Sequence, residues 1–347
     1  MGLDIQITHS VEASDPEDWD RLSARHMFSS YRCYSFWEKV TSDLPIYIIL
    51  RSNGSAVARG TFWLSRQEPL PVPFLIRRVM KPVLTRWPPL ICRSAWWSGP
   101  SGLILPDPPL RDEALAALVQ CGLEQSRKNK ASYLAFDYLS KEETEWGWPK
   151  VFFSPQEFDL GTRLDIIWPD FESFLMSLAH STRRNYRQHC KNAAELGITV
   201  KRYPVVTAVD ETLRLIRNVE KHFQTAPNPW ARSMLENASM VDATWLAAEK
   251  DSRLVGSLLL LGEGRMRFLT LLGLDYSIDW TYYQLVYEAI RCAIDEKVSF
   301  LRGGGGAYEF KRRLGFRWEN DNYLLAAPTS PLFGRIGHWL STKKELE

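Results

Sequence analysis

The chain has 347 residues, of which 24% are charged, and its formal net charge is +2. This balance is typical of a globular protein long enough for two domains, and it excludes a strongly basic nucleic-acid coat protein or an acidic polyanion-like chain. The five cysteines are scattered and include no C-x-x-C pair, so the sequence predicts neither a disulfide framework nor a metal site.

The first half of the chain is predicted to contain both strands and helices. Residues 46–50 and 56–64 flank Asn53-Gly54, a pattern that is typical of a β-hairpin. The other elements predicted here are a strand at 4–8, an amphipathic segment at 19–25, a helix at 110–128 and a strand at 133–137.

A basic, proline-rich stretch interrupts this half. Residues 69–106 contain eight prolines and five basic residues but no acidic residue. The prolines exclude a regular helix or a central strand throughout the stretch. Such a segment fits a cover over a polyanionic substrate or a contact with anionic lipid, and it fits equally well a long surface loop with solvated charges.

The second half has clearer periodicity. Ser181 is predicted to cap a helix that ends at Gly197. The predicted elements are helices at 170–179, 181–196, 207–224 and 283–296, and strands at 245–250, 254–261 and 265–272. Successive strands followed by helices indicate an α+β fold with a mixed sheet. We expect one domain at 1–164, a second at 165–327, and an amphipathic helix within 328–347.

The segment 298–316 combines a short apolar strand, four consecutive glycines and a basic helix that ends at Gly315. Glycines allow the backbone to approach a ligand closely, and the first N–H groups of a helix bind anions. The segment lacks the Gly-Lys-Ser/Thr of a phosphate-binding Walker A loop, and Tyr308 replaces the last glycine of a dinucleotide-binding fingerprint. A flexible turn without a ligand remains the alternative.

The order of elements from residue 245 to residue 316 resembles the GNAT N-acyltransferase fold, and within it the Fem-like and BioF2-like branch. The residues that carry the resemblance are Phe300-Leu301-Arg302-Gly303, Phe310-Lys311, and the basic run 181–198 with its Leu-Gly end. The piece 97–102 is compatible with the degenerate N-terminal domain of that branch. The resemblance therefore implies two tandem GNAT-like domains, of which the N-terminal one is degenerate.

The resemblance also implies roles for particular residues. Ordinary GNAT enzymes place a tyrosine four residues before the Gly-Phe that closes the last helix, and here Lys311 has that spacing. A cation there suits stabilisation of an oxyanion or a leaving group, although a solvated surface lysine is the alternative. The glycine-rich pyrophosphate loop of GNAT enzymes is replaced by residues 279–283. The donor is therefore expected to be either acyl-CoA or, as in Fem-like enzymes, an aminoacyl-tRNA. No tightly bound cofactor is expected.

The helix at 181–196 carries a stripe of cations. Its members are Arg183, Arg187 and Lys191, spaced four residues apart, with Arg184 beside them. The stripe can bind a diphosphate, a tRNA backbone or a sugar nucleotide, and a solvated face without a ligand fits equally well.

The full set of candidate residues follows from these arguments. The catalytic candidates are Lys311, Tyr308 and His222, the last because its pKa suits a general base, although a surface histidine is the alternative. The further candidates for donor or substrate binding are Arg302, Gly303, Gly304, Tyr282, Tyr283 and Arg312. We expect an N-acyltransferase acting on an anionic acceptor such as an envelope precursor or nucleotide sugar. The alternative is a non-catalytic module that binds RNA or another polyanion.

The location of the protein is inferred from what the sequence lacks. The N-terminal residues show no basic region followed by an apolar stretch, so no signal peptide is expected. No apolar run approaches the roughly 20 residues that span a bilayer. We therefore expect a cytoplasmic protein without a transmembrane segment, for which peripheral membrane contact stays open.

Overall fold

A computed structural model of the protein describes residues 3–24, 26–69, 74–95, 99–158 and 160–344. The strands, in chain order, are β1 (Asp4–Thr8), β2 (Leu44–Ser52), β3 (Ser55–Leu64), β4 (Leu90–Cys92), β5 (Leu103–Ile104), β6 (Tyr133–Leu139), β7 (Gln156–Glu157), β8 (Thr162–Asp165), β9 (Thr199–Tyr203), β10 (Asp242–Lys250), β11 (Arg253–Glu263), β12 (Met266–Leu274), β13 (Phe300–Gly303), β14 (Arg317–Trp318) and β15 (Tyr323–Pro328).

The helices are α1 (Pro16–Ser23), α2 (Tyr31–Val40), α3 (Phe74–Arg86), α4 (Leu110–Lys128), α5 (Lys141–Thr144), α6 (Phe171–Ser177), α7 (His180–Glu195), α8 (Val209–His222), α9 (Ala231–Asn237), α10 (Thr281–Asp295), α11 (Tyr308–Arg313) and α12 (Pro331–Lys344). Helix α7 begins at His180, and Ala179 occupies its N-cap without a side-chain hydrogen bond. The prediction that Ser181 caps this helix is therefore wrong, because Ser181 already lies in the first turn.

The chain divides into two compact units at residues that differ from the predicted boundaries. The first unit combines Met1–Phe158 with Asn320–Glu347, and the second is Asp159–Glu319. Strand β15 pairs with β6 and β7, so it belongs to the first sheet rather than to the second domain. Helix α12 packs on β15 and belongs to the first unit as well.

The first unit is built on a sheet with the strand order β1-β2-β3-β4-β6-β15-β7, and β5 pairs with β3. Strands β4 and β6 are parallel, and helix α4 provides the crossover between them. Asn53 and Gly54 both have positive φ, as the predicted Asn-Gly hairpin turn requires. The core consists of apolar side chains from the sheet and from α4.

The basic, proline-rich stretch is more regular than a long surface loop. Helix α3 runs through Pro82, and strand β4 is fully buried. Arg93 is also buried, and its guanidinium pairs with Glu68 at 2.7 Å and with Asp137 at 3.8 Å. Arg93 is thus not available for a polyanionic substrate. Residues 70–73 and 96–98 lie outside the described residues. The first two residues of the piece 97–102 are among them.

The second unit is built on a sheet with the strand order β14-β8-β13-β12-β11-β10-β9. Strands β12 and β13 are parallel and are joined by α10. A Cβ on Gly256 would lie 2.3 Å from the Thr281 side chain, and a Cβ on Gly273 would lie 2.7 Å from Leu215. Because Gly273 pairs with Ser257, the neighbour of Gly256, α10 and α8 pack on opposite faces of the sheet.

The two units repeat one arrangement of strands. Three antiparallel strands lead into a parallel pair with a crossover helix, and a further antiparallel strand lies beside the pair. In the first unit this arrangement is β2-β3-β4-β6-β15, and in the second it is β10-β11-β12-β13-β8. The predicted α+β class with a mixed sheet is confirmed for both halves of the chain.

Candidate active site

The glycine loop connects β13 to α11, as the sequence predicts. Gly306 and Ala307 both have positive φ (83° and 48°), so the chain reverses sharply before α11 begins at Tyr308. The helix ends two residues before Gly315, whose φ of 88° is typical of a residue that terminates a helix. This geometry turns the Lys311 side chain back towards the end of β13.

Lys311 is the most unusual side chain of the loop region. Only 6% of its surface is exposed, and its Nζ atom donates a hydrogen bond to the Gly304 carbonyl oxygen at 2.6 Å. In the described part of the chain, no carboxylate lies within ion-pair distance of this ammonium. Burial lowers its pKa from 10.5 to about 8. A cation that is buried without a counter-ion lowers the stability of the folded state, and such groups are concentrated at functional sites.

Gly303 makes room for Lys311. A Cβ at this position would lie 2.9 Å from the Thr162 Oγ1 atom and 3.3 Å from Lys311 Nζ, which is closer than normal contacts allow. A Cβ on Gly304, by contrast, would meet no atom of the described residues within 4 Å. The lysine therefore lies against a glycine on one side, and the loop beside it borders open space in which a ligand can lie.

Tyr282 and Tyr283 belong to an aromatic cluster where α10 meets α11. Their rings lie 5.6 Å and 4.9 Å from the Phe310 ring, which directly precedes Lys311 in the sequence. Burial raises the pKa of Tyr282 to about 12, so its hydroxyl stays neutral. The Trp280 residue that precedes the helix has a left-handed backbone (φ 71°) in place of a glycine-rich turn.

His189 joins the same cluster from α7, which the sequence did not indicate. Its ring lies 4.0 Å from that of Tyr283, and its Nδ1 atom is 2.8 Å from the Tyr287 hydroxyl. Burial lowers the pKa of His189, which favours the neutral ring. The helix that carries the basic stripe is thereby fixed to the helix that leads into the site.

An open cleft of about 570 Å³ lies between the first turns of α7 and helix α11. Ser181, Thr182 and Asn185 line one side, and Arg312 and Arg313 line the other. Both arginines pair with Glu309, but all three side chains are exposed, so these pairs are weak and can exchange for a ligand. Of the predicted binding residues, Arg312 is the one that lines this cleft.

The cations of α7 divide into two groups. Arg183 donates to the carbonyl oxygens of Met176 and Leu178, so it terminates the preceding helix α6. Arg184, Arg187 and Lys191 are exposed, and Lys191 lies 3.8 Å from Glu195. At 100° per residue these three cations project at least 100° around α7 from Asn185 and His189. They form a separate positive surface and do not line the cleft.

The comparisons with known proteins bear on the fold. No protein-family model matches the sequence, and no curated protein matches it. The solved structures that resemble it include FemX (TM-score 0.62, 12% identity, 95% of this chain and 99% of FemX). They also include a tandem GNAT protein from the clavulanic acid biosynthesis pathway (TM-score 0.61, 12% identity, 95% and 99% coverage).

The chain has a tandem GNAT fold. A further structure, L-PGS from Bacillus licheniformis, agrees with a TM-score of 0.52 at 10% identity over 91% of this chain and 92% of that one. The expected two GNAT-like domains are therefore confirmed. In this GNAT fold, the glycine loop and the helix α11 that carries Lys311 follow the second strand of the parallel pair β12–β13.

Other predicted residues have different surroundings in the GNAT fold. The buried Arg302 guanidinium pairs with Glu319 at 2.5 Å, and the Tyr308 hydroxyl donates to the Leu160 carbonyl oxygen at 3.0 Å. His222 is exposed at the end of α8, where its ring stacks on Tyr276 at 4.0 Å. Because α8 lies on the opposite face of the sheet from α10, the structure does not bring His222 together with Lys311.

The described residues contain neither a cluster of metal ligands nor a membrane-spanning helix. Among them, no group of three or more His, Cys, Asp or Glu side chains is close enough to hold a metal ion. In the same part of the chain, no helix has both the length and the apolar composition needed to cross a bilayer.

Proposed function

We propose that the second unit of this chain transfers an acyl or aminoacyl group from a thioester or ester donor to an amine acceptor. The observation that carries the proposal is the buried Lys311 ammonium, which has no carboxylate partner in the described part of the chain and lies beside the glycine loop. The tandem GNAT fold and its likeness to FemX support the same class of reaction.

The reaction needs stabilisation of negative charge at one place. The acceptor amine attacks the donor carbonyl carbon, and the carbonyl oxygen becomes an oxyanion in the tetrahedral intermediate. Lys311 donates one of its three N–H groups to Gly304, which leaves two for that oxygen. The intermediate then collapses, the carbon–oxygen or carbon–sulfur bond of the donor breaks, and the proton lost by the amine ends on the leaving group.

The start of α10 favours an aminoacyl-tRNA donor over acyl-CoA. A CoA pyrophosphate needs backbone N–H groups presented by small residues at a helix N-terminus. Here Trp280, Tyr282 and Tyr283 occupy that part of the chain and contact one another. Neither donor needs to stay bound between turnovers, so we propose them as co-substrates.

The acceptor is proposed to be anionic. Arg312 and Arg313 line the cleft beside the proposed site, whereas Arg184 and Arg187 form the separate positive surface on another side of α7. Guanidinium groups bind phosphates in a bidentate manner, which suits a nucleotide sugar or a phosphate-linked envelope precursor that carries an amine.

A donor screen tests the proposal. Purified wild-type protein and Lys311→Met are incubated with acyl-CoAs or charged tRNAs and a panel of amines, and product is measured by mass spectrometry. Transfer by the wild type that is lost in Lys311→Met supports the proposal. Tight RNA binding with a steep salt dependence and no transfer from any donor would instead assign the chain to the non-catalytic RNA-binding alternative.

A further inference from the structure

The first unit contains two helices with one sign of charge. Helix α3 lies within the stretch 69–106, which has five basic residues and no acidic residue. Helix α12 spans Pro331–Lys344, where the sequence has Arg335, Lys343 and Lys344 and again no acidic residue. Within their own bounds, therefore, both helices have basic residues and no carboxylate.

The two helices meet at one point. Trp87, directly after α3, contacts the Phe333 ring of α12 with 6.2 Å between ring centroids. Phe333 is itself fixed, because its carbonyl oxygen accepts a hydrogen bond from the Tyr133 hydroxyl at 2.8 Å. The Arg86 guanidinium lies 5.6 Å from the centroid of the Trp87 ring. The end of α3 and the start of α12 thus share one continuous region, which we call the α3–α12 surface.

The α3–α12 surface exposes apolar side chains among cations. Val79 is 69% exposed, Leu332 is 62% exposed and Trp87 is 39% exposed. The exposed cations are Arg78, Lys81, Arg86 and Arg335. In the described part of the chain, none of these four has a carboxylate within ion-pair distance. At 100° per residue, Arg78 and Arg86 project within about 100° of Val79 around α3, whereas Lys81 projects about 160° from it.

We propose that the α3–α12 surface docks on an anionic lipid bilayer. Cations near such a surface are attracted by its negative potential, and tryptophan is favoured at the depth of the headgroups. Exposed Val79 and Leu332 gain by entering the boundary with the acyl chains, and they would gain nothing from the phosphate backbone of RNA. The proposal concerns the first unit and does not depend on the acyl-transfer reaction proposed for the second.

Vesicle sedimentation tests the electrostatic part of the proposal. The full chain is mixed with vesicles of phosphatidylcholine alone or with added phosphatidylglycerol, at low and at high salt. We expect binding to the anionic vesicles alone, and weaker binding in high salt. Arg78→Glu with Arg86→Glu should lower the affinity more than about 25-fold, because each nearby cation contributes roughly fivefold.

A matched control keeps the charge change but moves it elsewhere in the same unit. Lys141 and Lys150 are exposed, and Lys141→Glu with Lys150→Glu changes the net charge by the same amount. We expect this variant to bind anionic vesicles several times more tightly than the α3 variant does. Equal losses in both variants would show that only the net charge matters, and they would overturn the assignment of the surface.

A second variant tests the apolar part. Val79→Ser with Leu332→Ser leaves the charge unchanged and alters two exposed side chains, so folding should be retained. We expect roughly a tenfold loss of affinity for anionic vesicles, because both side chains lose apolar burial. No affinity of the wild type for anionic vesicles would overturn the proposal. The proposal would also be overturned if the wild type bound tRNA but not vesicles, and if the α3 variant abolished that tRNA binding.

Discussion

Replacing Lys311 with methionine should stabilise the protein at neutral pH, although the lysine is the proposed catalytic group. Burial lowers the lysine pKa from 10.5 to about 8, which corresponds to a penalty of about 3 kcal/mol for holding the charge in the folded state. Methionine has a similar length and no charge. The variant loses the hydrogen bond that the charged ammonium donates to the Gly304 carbonyl, worth about 1.5 kcal/mol. The net gain in the free energy of unfolding is therefore roughly 1.5 to 2 kcal/mol.

The pH dependence of this gain has a definite sign. Because the folded-state pKa is lowered, the unfolded chain holds a proton that the folded chain has lost between about pH 8 and pH 10.5. The wild type therefore gains stability as the pH rises through this window, by about 2 kcal/mol between about pH 7 and pH 9.5. The Lys311→Met variant lacks this gain, so the difference between the two proteins should nearly vanish at the higher pH.

Urea unfolding at both pH values, followed by circular dichroism and tryptophan fluorescence, measures these differences. The control is Lys221→Met, which changes an exposed lysine of the same unit and should alter the free energy of unfolding by less than about 0.5 kcal/mol. A destabilised Lys311→Met variant, or a difference that stays constant with pH, would refute the claim that the ammonium is buried without a counter-ion.

Three further outcomes are expected. The ratio of wild-type to Lys311→Met turnover should fall as the pH rises through about 8, because the cationic lysine is the active form. A ratio that rises with pH would instead indicate that the neutral lysine acts as a general base. Gly303→Ala should lower kcat at least roughly tenfold, because the added methyl group displaces the lysine. Gly304→Ala should leave kcat nearly unchanged, because its methyl group meets no described neighbour, and equal effects of the two variants would count against the close packing at Gly303. His222→Ala should change kcat less than about twofold, since His222 lies on the other face of the sheet; a loss of about 10²-fold would restore it as a base.

The sequence predicts elements well where the signal is local. The hairpin at Asn53-Gly54 and the helix Leu110–Lys128 agree with the structure, because turn residues and periodicity act within a few positions. Lys311 is a candidate from the sequence because it lies four residues before Gly315-Phe316, the spacing at which ordinary GNAT enzymes place a tyrosine. Burial of this lysine was not predictable, because Gly303, against which it packs, pairs with Thr162 from a strand far away in the chain.

Long-range pairing explains the main differences from the sequence-based predictions. The predicted second domain, 165–327, includes residues 323–327, yet in the structure they belong to β15 and complete the sheet of the first unit. His189 gave no signal within the basic helix, because its partner Tyr287 lies 98 residues later. Arg302 was predicted from the strand motif, but only the fold reveals that Glu319 pairs with it.

Single-turnover transfer of a labelled acyl or aminoacyl group tests the central claim most directly. Once a donor is identified, the wild type and Lys311→Met are compared under saturating donor, with the donor Kd measured separately. We expect the rate of transfer to fall by about 10²- to 10³-fold in the variant, as for loss of an oxyanion-stabilising group, with little change in donor Kd. Equal rates in the two proteins would contradict the assignment of Lys311 as the group that stabilises the transition state.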